Sequence, residues 1–269
     1  MLNSKHNMSF GTIFPFWLSL ALIPLIWIAA IWGGWSFLIV ILASWFLFSA
    51  LDAVLGLNLE NADPEEDGAL IFWYKLLTVI WAPFQFITLF GVIWYCTHSG
   101  LSGLEKFGLF FSVGVITGTI GINYSHELMH QSNRKERAMA DILLSMVLYS
   151  HFRSEHLLVH HTFIGTPRDA VTARYGEGFY RFFLRIIKEC WLSGFRAEKA
   201  KLARKNLPWY DGKNPFLLYV VLQLGMVLLA FSLGGWSGLA LFSWQAIVAI
   251  CSLEIINYIE HYGLTRKHF

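Results

Sequence analysis

Charged side chains are scarce in this sequence. Asp, Glu, Lys and Arg make up 14% of the 269 residues, whereas soluble domains contain about 25%. Hydrophobic residues make up 56% of the chain, and the mean hydropathy is +0.52. This deficit of charge argues against a soluble domain. It predicts a polytopic membrane protein of the all-α class.

Cysteine is also rare, and the excess of positive charge is small. The three cysteines, Cys96, Cys190 and Cys251, are far apart and form no CxxC pair, which excludes a zinc ribbon and a disulfide framework. The net charge is +2, and no basic tract interleaved with aromatic residues is present. Nucleic acid is therefore excluded as a partner. The first apolar run is too long for a cleaved signal peptide.

Long apolar runs divide the chain. A helix that crosses a bilayer needs about 20 mostly apolar residues. The runs predict about six transmembrane helices in a single integral-membrane domain over residues 1–269. An acidic turn in water, Glu60–Asp67, separates the second span from the third. The predicted spans are Phe14–Trp32, Trp35–Leu57, Phe72–Tyr95, Phe107–Ser125, Phe216–Leu233 and Leu239–Tyr258.

Basic residues predict the orientation of these spans. Of the 20 Lys and Arg residues, 15 lie between His126 and Asn214, and Arg266 and Lys267 follow the last span. Cytoplasmic segments carry the excess of Lys and Arg in membrane proteins. We therefore expect both regions on the cytoplasmic side of the membrane.

Two segments between the fourth and fifth spans are shorter or more polar. Ala138–His151 predicts a short buried or interfacial helix. The segment 178–205 is amphipathic, with many Arg and Lys residues beside Phe, Ile and Trp. That pattern is typical of a helix on the membrane surface, but an ordinary helix on a soluble lobe fits it equally well.

Histidine is concentrated in two short runs and at the end of the last span. The first run contains His126 and His130, which share one face of a helix because they are four residues apart. The second run begins at Glu155. Neutral imidazole is the commonest side-chain metal ligand. The predicted metal ligands are His126, His130, His156, His160, His161 and His261.

The number of histidines decides between several chemistries. His126-Glu127-Leu128-Met129-His130 alone fits the HExxH motif of a membrane zinc metalloprotease, in which Glu127 would be the general base. A catalytic zinc needs three protein ligands, so the larger set favours two metal ions. Nitrogen and carboxylate ligands admit iron, zinc, manganese or copper. A metal-transport protein would need ionisable residues across the membrane, whereas these histidines meet at one face. A redox metal acting with O2 on an apolar substrate is the simplest interpretation.

Four glutamates are candidate catalytic residues. Glu127, Glu155 and Glu260 each directly precede a predicted ligand, so each could orient a ring or bind metal. Glu254 lies within the sixth predicted span, on the same helix face as His261. An ionisable residue inside the membrane is a functional candidate, because leaving it there is costly.

Two neighbouring roles stay open. Glu254 could instead pair with a polar residue such as Thr117 or Asn123. His151 lies five residues before His156, where a hydrogen-bonding role is expected more than ligation.

The motifs resemble those of the membrane-bound alkane 1-monooxygenase family. Asn123–His130 is similar to the first histidine box of that family, and Glu155–His161 is similar to the second. Asn257–Leu264, NYIEHYGL, matches a block typical of alkane hydroxylases. Thr166–Ala170 and Arg174–Glu177 are also similar.

The resemblance implies a function. It implies terminal hydroxylation of medium- or long-chain alkanes to 1-alkanols at a non-haem diiron centre in the bacterial inner membrane. O2 would be the oxidant, and electrons would come from rubredoxin with its reductase. A fatty-acid desaturase or a xylene-type hydroxylase would use the same centre.

The sequence departs from the family pattern at two points. Gln131 stands where the first box commonly ends in Lys. The last box of the family, with three further histidines, is absent from the sequence, which ends at Phe269. The expectation from this absence is a C-terminally truncated chain that binds metal weakly or is inactive.

Overall fold

The computed structural model describes residue 14, residues 16–55 and residues 68–266, and this part of the chain contains helices and no strand. The predicted all-α class is therefore confirmed. The predicted acidic turn, Glu60–Asp67, lies outside the described residues.

The described residues of the first part of the chain form five apolar helices. A turn at Gly33 joins the first two, and α4 continues through Pro83. They are α1 (Leu18–Trp32), α2 (Gly34–Leu47), α3 (Phe48–Leu55), α4 (Gly68–His98) and α5 (Gly103–Met129).

The second part alternates short and long helices. A π-helical turn, His156–His160, connects α7 directly to α8. The helices are α6 (Arg134–Met146), α7 (Phe152–Glu155), α8 (His161–Phe163), α9 (Phe179–Ala203) and α10 (Pro215–His261).

Within the described part of the chain, three helices are long and apolar enough to cross a membrane: Phe72–His98, Gly103–Met129 and Pro215–His261. The predicted fifth and sixth spans both fall within the last of these. Gly235 interrupts it with φ 57° and ψ −145°, a backbone conformation that a residue with a Cβ rarely adopts. The helices α1 and α2 are apolar but shorter. This pattern identifies an integral membrane protein.

The fourth predicted span begins four residues earlier than expected. Ser102 accepts a hydrogen bond from the Glu105 backbone N–H, and the Glu105 carboxylate accepts one from the Ser102 backbone N–H. This reciprocal capping box starts α5 at Gly103. The Ser-x-x-Glu pattern was visible in the sequence.

Close packing of α5 against α10 forms the centre of the bundle. A Cβ at Gly118 would lie 2.7 Å from the backbone oxygen of Ala249, so only glycine permits this approach. Thr117 donates a hydrogen bond to the Gln245 side chain at 2.9 Å. Small residues allow such contact between membrane helices, and the contact fixes the end of α5 relative to the end of α10.

The short helix before the second histidine run differs from its predicted bounds. It begins at Arg134, because the Asn133 side chain accepts a hydrogen bond from the Lys135 backbone N–H. It ends at Met146, and Leu148 then adopts a positive φ of 56°. His151 therefore lies in the turn that leads into α7.

The amphipathic segment forms α9, which packs on the second histidine run. A Cβ at Gly194 would lie 3.2 Å from the backbone nitrogen of Glu155. Buried residues recur every fourth position along this face of α9, and Glu198 among them accepts a hydrogen bond from Ser154 at 3.1 Å. The helix thus supports the turn that carries His156.

Candidate metal centre

The first histidine run ends α5. His126 and His130 lie one turn apart, and their ring centroids are 4.9 Å apart. Ser125 anchors this turn by donating a hydrogen bond to the Ala140 carbonyl oxygen of α6. The two rings therefore share one face of the helix, as the spacing predicted.

The second run presents its histidines through the π-helical turn His156–His160. A π-helical turn aligns residues five positions apart, whereas an α-helix aligns residues three or four apart. His156 and His161 therefore face the same point, with their Nε2 atoms 2.8 Å apart. His160 faces a different direction.

Four of the predicted ligands converge on one point. We call His126, His130, His156 and His161 the four-histidine group, because one ligand atom from each lies within 4.8 Å of the others. His156 is central: its Nε2 lies 2.8 Å from Nε2 of both His126 and His161. Two neutral rings cannot both offer lone pairs at this distance without repulsion, unless a proton or a metal ion lies between them.

The other two predicted ligands form a separate pair. The ring centroids of His160 and His261 are 5.0 Å apart, and we call them the histidine pair. Nδ1 of His160 lies 3.1 Å from Oδ2 of Asp169, and Nδ1 of His261 lies 2.8 Å from the Asn257 backbone oxygen. Each acceptor favours a proton on Nδ1, which leaves Nε2 as a lone-pair donor. This arrangement is common for metal-binding histidines.

The two groups adjoin. The rings of His156 and His160 are 5.2 Å apart, so the six predicted ligands form one continuous cluster. Within this cluster, the six ligands are divided into the four-histidine group and the histidine pair.

Burial keeps the central imidazole neutral. Burial first, and then the neighbouring histidines, lower the pKa of His156 to about 2. Burial and then His130 also lower the pKa of His161. Metal ions bind neutral imidazole, so no proton has to be displaced from His156 at pH 7.

Two buried side chains beside the cluster have polar atoms without a nitrogen or oxygen partner among the described residues. They are Glu155, whose carboxylate interacts with the weakly donating Cys190 thiol, and His151, at Nε2. Glu155 is fully buried. Burial, with a further contribution from the Asp169 carboxylate, raises the pKa of Glu155 to about 8. A buried carboxylate without a nitrogen or oxygen partner is costly unless a cation compensates it.

Glu254 is buried within α10 but has different partners from those expected. Tyr149 donates a hydrogen bond to it at 2.8 Å, and Asn257 donates one at 3.0 Å. Glu254 therefore pairs with polar neighbours, as the alternative allowed, but the partners are Tyr149 and Asn257 in place of the suggested Thr117 or Asn123. Glu254 nevertheless lies on the predicted face, together with Asn257 and His261.

The remaining glutamates lie apart from the histidines. Glu127 is exposed and accepts a hydrogen bond from Gln131 at 3.0 Å. Glu260 is also exposed. The zinc-protease alternative needs Glu127 as a base beside the metal, and Glu127 is not among the residues whose ligand atoms converge with those of His126 and His130.

The donor set fits transition-metal ions. Four imidazoles converge, two more present oriented rings next to them, and Glu155 supplies a buried carboxylate without a nitrogen or oxygen partner. Imidazole with carboxylate suits iron, zinc and manganese, and thiolate is absent from the group. The four-histidine group could hold one ion, and the histidine pair could contribute to a second.

Asp169 was not predicted as a site residue. It is buried and accepts hydrogen bonds from the Thr172 hydroxyl at 2.6 Å and the Val171 backbone N–H at 3.1 Å. These contacts hold the carboxylate against His160. The only signal in the sequence was its place in the Thr166–Ala170 run.

We expect Asp169→Asn to weaken metal binding at the histidine pair by about 10- to 100-fold. The amide supplies a weaker acceptor for the Nδ1 proton of His160, so the ring becomes a poorer ligand. Anaerobic titration with Fe(II) measures this. Half-buried Asp211, which accepts a hydrogen bond from the Lys213 backbone N–H, gives the matched control Asp211→Asn. Equal iron affinity in Asp169→Asn and wild type would contradict the orienting role.

The buried carboxylate of Glu155 predicts a pH dependence in metal-free protein. The pKa of Glu155 is about 8 in the folded protein, against about 4.5 for an ordinary glutamate side chain. The unfolded chain loses this proton first, so the free energy of unfolding falls as pH rises from about 4.5 to about 8. Thermal unfolding of chelator-treated protein measures the trend. Glu155→Gln should flatten it, and an identical slope in that variant would contradict the assignment.

Comparison with known proteins places the chain in a family. The model of the fatty acid desaturase family matches residues 104–269, which is more than half of the chain. The chain belongs to the fatty acid desaturase family. Both histidine runs and His261 lie within the matched region.

Alkane 1-monooxygenases are among the relatives. The chain is 35% identical to alkane 1-monooxygenase 1 of Pseudomonas aeruginosa over 87% of its own length and 62% of that protein. It is 31% identical to alkane 1-monooxygenase of Pseudomonas putida, over 96% of its own length and 64% of that protein. The predicted alkane 1-monooxygenase resemblance is confirmed. The chain spans less than two thirds of the length of either relative.

A xylene hydroxylase is also similar. The hydroxylase component of xylene/toluene monooxygenase from Pseudomonas putida is 29% identical over 67% of this chain and 50% of that protein. Its substrate class differs from that of the alkane 1-monooxygenases.

Proposed function

We propose that this protein hydroxylates the terminal carbon of medium- or long-chain alkanes, using O2 at a non-haem diiron centre. The observation that carries the proposal is the adjacency of the four-histidine group and the histidine pair within a membrane protein of this family. The named activity of the two alkane 1-monooxygenase relatives described above supplies the substrate class.

The residues have separate roles in this proposal. The four-histidine group would hold one iron, and His160 and His261 would supply two of the ligands of the second. Glu155, buried beside His156, is a further ligand or orients a neighbouring ring. Glu254 acts through its hydrogen bond with Asn257, next to His261. Bound iron supplies activation of O2, and the protein supplies ligand geometry and an apolar surrounding.

The exposed Glu127 and Glu260 have no direct role in metal ligation under this proposal. Exposure to solvent and the contact of Glu127 with Gln131 favour surface functions for both. Of the four candidate catalytic glutamates, Glu155 and Glu254 therefore remain in this proposal.

The membrane arrangement belongs to the same proposal. We infer six spans, because α1, α2 with α3, α4, α5 and the two halves of α10 are six apolar helical segments. With the basic residues in the cytoplasm, the metal centre faces that side of a bacterial inner membrane. Rubredoxin, reduced by its reductase, would deliver electrons there.

The test is product analysis in intact membranes. Cells that express the protein are given octane, hexadecane, a palmitoyl lipid or xylene together with O2, and the products are identified by mass spectrometry. We expect 1-octanol or 1-hexadecanol. A His156→Ala strain controls for background oxidation.

A desaturase or a xylene-type hydroxylase is the second candidate. The match to the fatty acid desaturase family and the similarity to the xylene hydroxylase favour this candidate, because both names refer to substrates other than alkanes. Recovery of only a double-bonded lipid, or of only a hydroxylated xylene, would contradict alkane hydroxylation.

A further inference from the structure

The helix α9 contacts both ends of the membrane helix α10. Near one end of α9, the Phe182 ring lies 5.3 Å from the Tyr258 ring, close to the C-terminal end of α10. Further along, Phe195 lies 5.3 Å from Phe216, at the N-terminal end of α10. Because α10 is interrupted at Gly235, both of its ends meet the same helix. The 13 residues of α9 between these two contacts therefore run from one end of α10 to the other, over about 20 Å.

One side of α9 is buried against the metal centre. Its buried positions recur every fourth residue, the spacing of one helix face. They are Phe182, Ile186, Cys190, Gly194 and Glu198.

A second side of α9 is apolar and exposed. Tyr180, Leu184, Ile187 and Trp191 form this apolar stripe, and their exposed fractions are 84%, 74%, 36% and 45%. The spacing of four, three and four places them on one face. A water-exposed stripe of this kind is unfavourable, because each residue leaves apolar surface in water.

The apolar stripe continues onto the membrane-spanning helix. The Trp191 ring lies 5.8 Å from the Phe216 ring. Exposed apolar residues of α10 follow directly, among them Leu217, Val220 and Val221. Lipid acyl chains that cover this part of α10 therefore also reach the stripe.

Basic residues lie along the edge of the stripe. Arg181, Lys188, Arg196 and Lys199 form this basic row; all are exposed, and none makes an ion pair within the described chain. Lys188 and Arg196 line a cleft of about 410 Å³ together with Arg168. Glu189 also lines the cleft, but Arg185 binds its carboxylate at 3.3 Å.

We propose that α9 is an interfacial helix whose apolar stripe lies among the acyl chains and whose basic row, with Arg168, binds the phosphates of anionic phospholipids. An amphipathic helix with cationic residues beside its apolar face binds anionic bilayers in this way. A soluble acidic protein would satisfy the basic row but would leave the apolar stripe and its continuation on α10 uncovered. An anionic phospholipid contacts both the basic row, through its phosphate, and the apolar stripe, through its acyl chains. The proposal does not depend on the chemistry at the metal centre.

Spin labels test the depth of α9. A nitroxide is attached at Leu184→Cys, with the exposed position Lys135→Cys on α6 as the control, and Cys251→Ser removes the half-buried native thiol from both. The full chain is placed in vesicles of phosphatidylcholine with phosphatidylglycerol. We expect the Leu184 label to be accessible to O2 and protected from a water-soluble nickel chelate, and the Lys135 label to show the reverse. Equal nickel access at both sites would overturn the proposal.

Spin-labelled lipids test the basic row. We expect the protein to bind phosphatidylglycerol in preference to phosphatidylcholine. The double variant Lys188→Gln with Arg196→Gln should lower that preference about fivefold for each charge removed. Arg134→Gln with Lys135→Gln removes the same charge from α6 and should change the preference little. An equal loss in both double variants would overturn the proposal. So would an unchanged lipid preference with a raised KM for an acidic electron donor, because that surface would then bind a protein.

Discussion

We expect His156→Ala to abolish the proposed alkane hydroxylation and to lower iron affinity by more than about a hundredfold. The ring of His156 contacts both sides of the four-histidine group, with Nε2 2.8 Å from His126 and from His161. Without it, the two histidine runs no longer share a central ligand. Iron content of purified protein and alkanol production in membranes measure the two effects.

The control for this variant is another histidine of the chain. His98 is exposed at the end of α4, where its ring bonds to the Trp94 carbonyl oxygen. His98→Ala should keep wild-type iron content and activity. If His156→Ala also kept both, the four-histidine group would not be the metal site.

Arg153→Met is expected to destabilise the protein by about 3–5 kcal/mol. Arg153 pairs with Asp141 at 2.6 Å, and the Asp141 side chain is only 5% exposed. Removal of the guanidinium leaves a buried charge without its partner, in the contact that joins α6 to α7. Chemical unfolding in detergent micelles gives the free energy.

Two further variants separate the ion pair from other effects. Asp141→Asn in the Arg153→Met background should restore much of the lost stability, because no buried charge then remains. Glu189→Gln removes a carboxylate that is 45% exposed from its pair with Arg185, which keeps its pair with Glu177, and should cost less than about 1 kcal/mol. Equal costs for Arg153→Met and Glu189→Gln would contradict the buried-pair explanation.

The spacing of the histidines predicted much of the site. His126 and His130 are four residues apart, and a helix face follows from that spacing alone. The composition of the spans likewise predicted apolar helices, because backbone groups in a bilayer need internal hydrogen bonds. These features depend on local periodicity, which a sequence contains.

The division of the cluster into four and two could not be predicted. It follows from the π-helical turn His156–His160, which aligns His156 with His161 and turns His160 towards His261. Nothing in the residue types distinguishes this turn from an α-helix. Asp169 and Tyr149 were missed for a related reason: each reaches its partner across the fold, by contacts that no sequence spacing defines.

The predicted helix bounds were wrong at two helix ends that single residues determine. The capping box of Ser102 and Glu105 starts α5 four residues before its predicted start. Leu148, with its positive φ, lies between the end of α6 and His151, so the helix does not reach His151. The first was readable as Ser-x-x-Glu. The second was not, because leucine rarely adopts a left-handed backbone conformation.

Anaerobic Fe(II) titration of the purified chain tests the central claim most directly. We predict a tight first equivalent that His156→Ala removes, and a weaker second equivalent that His160→Ala and His261→Ala remove while the first remains. The second is weaker because, among the described residues, the histidine pair offers fewer imidazoles than the four-histidine group. A single iron equivalent lost equally in all three variants, or a site that selects one zinc and excludes iron, would contradict the two-metal account.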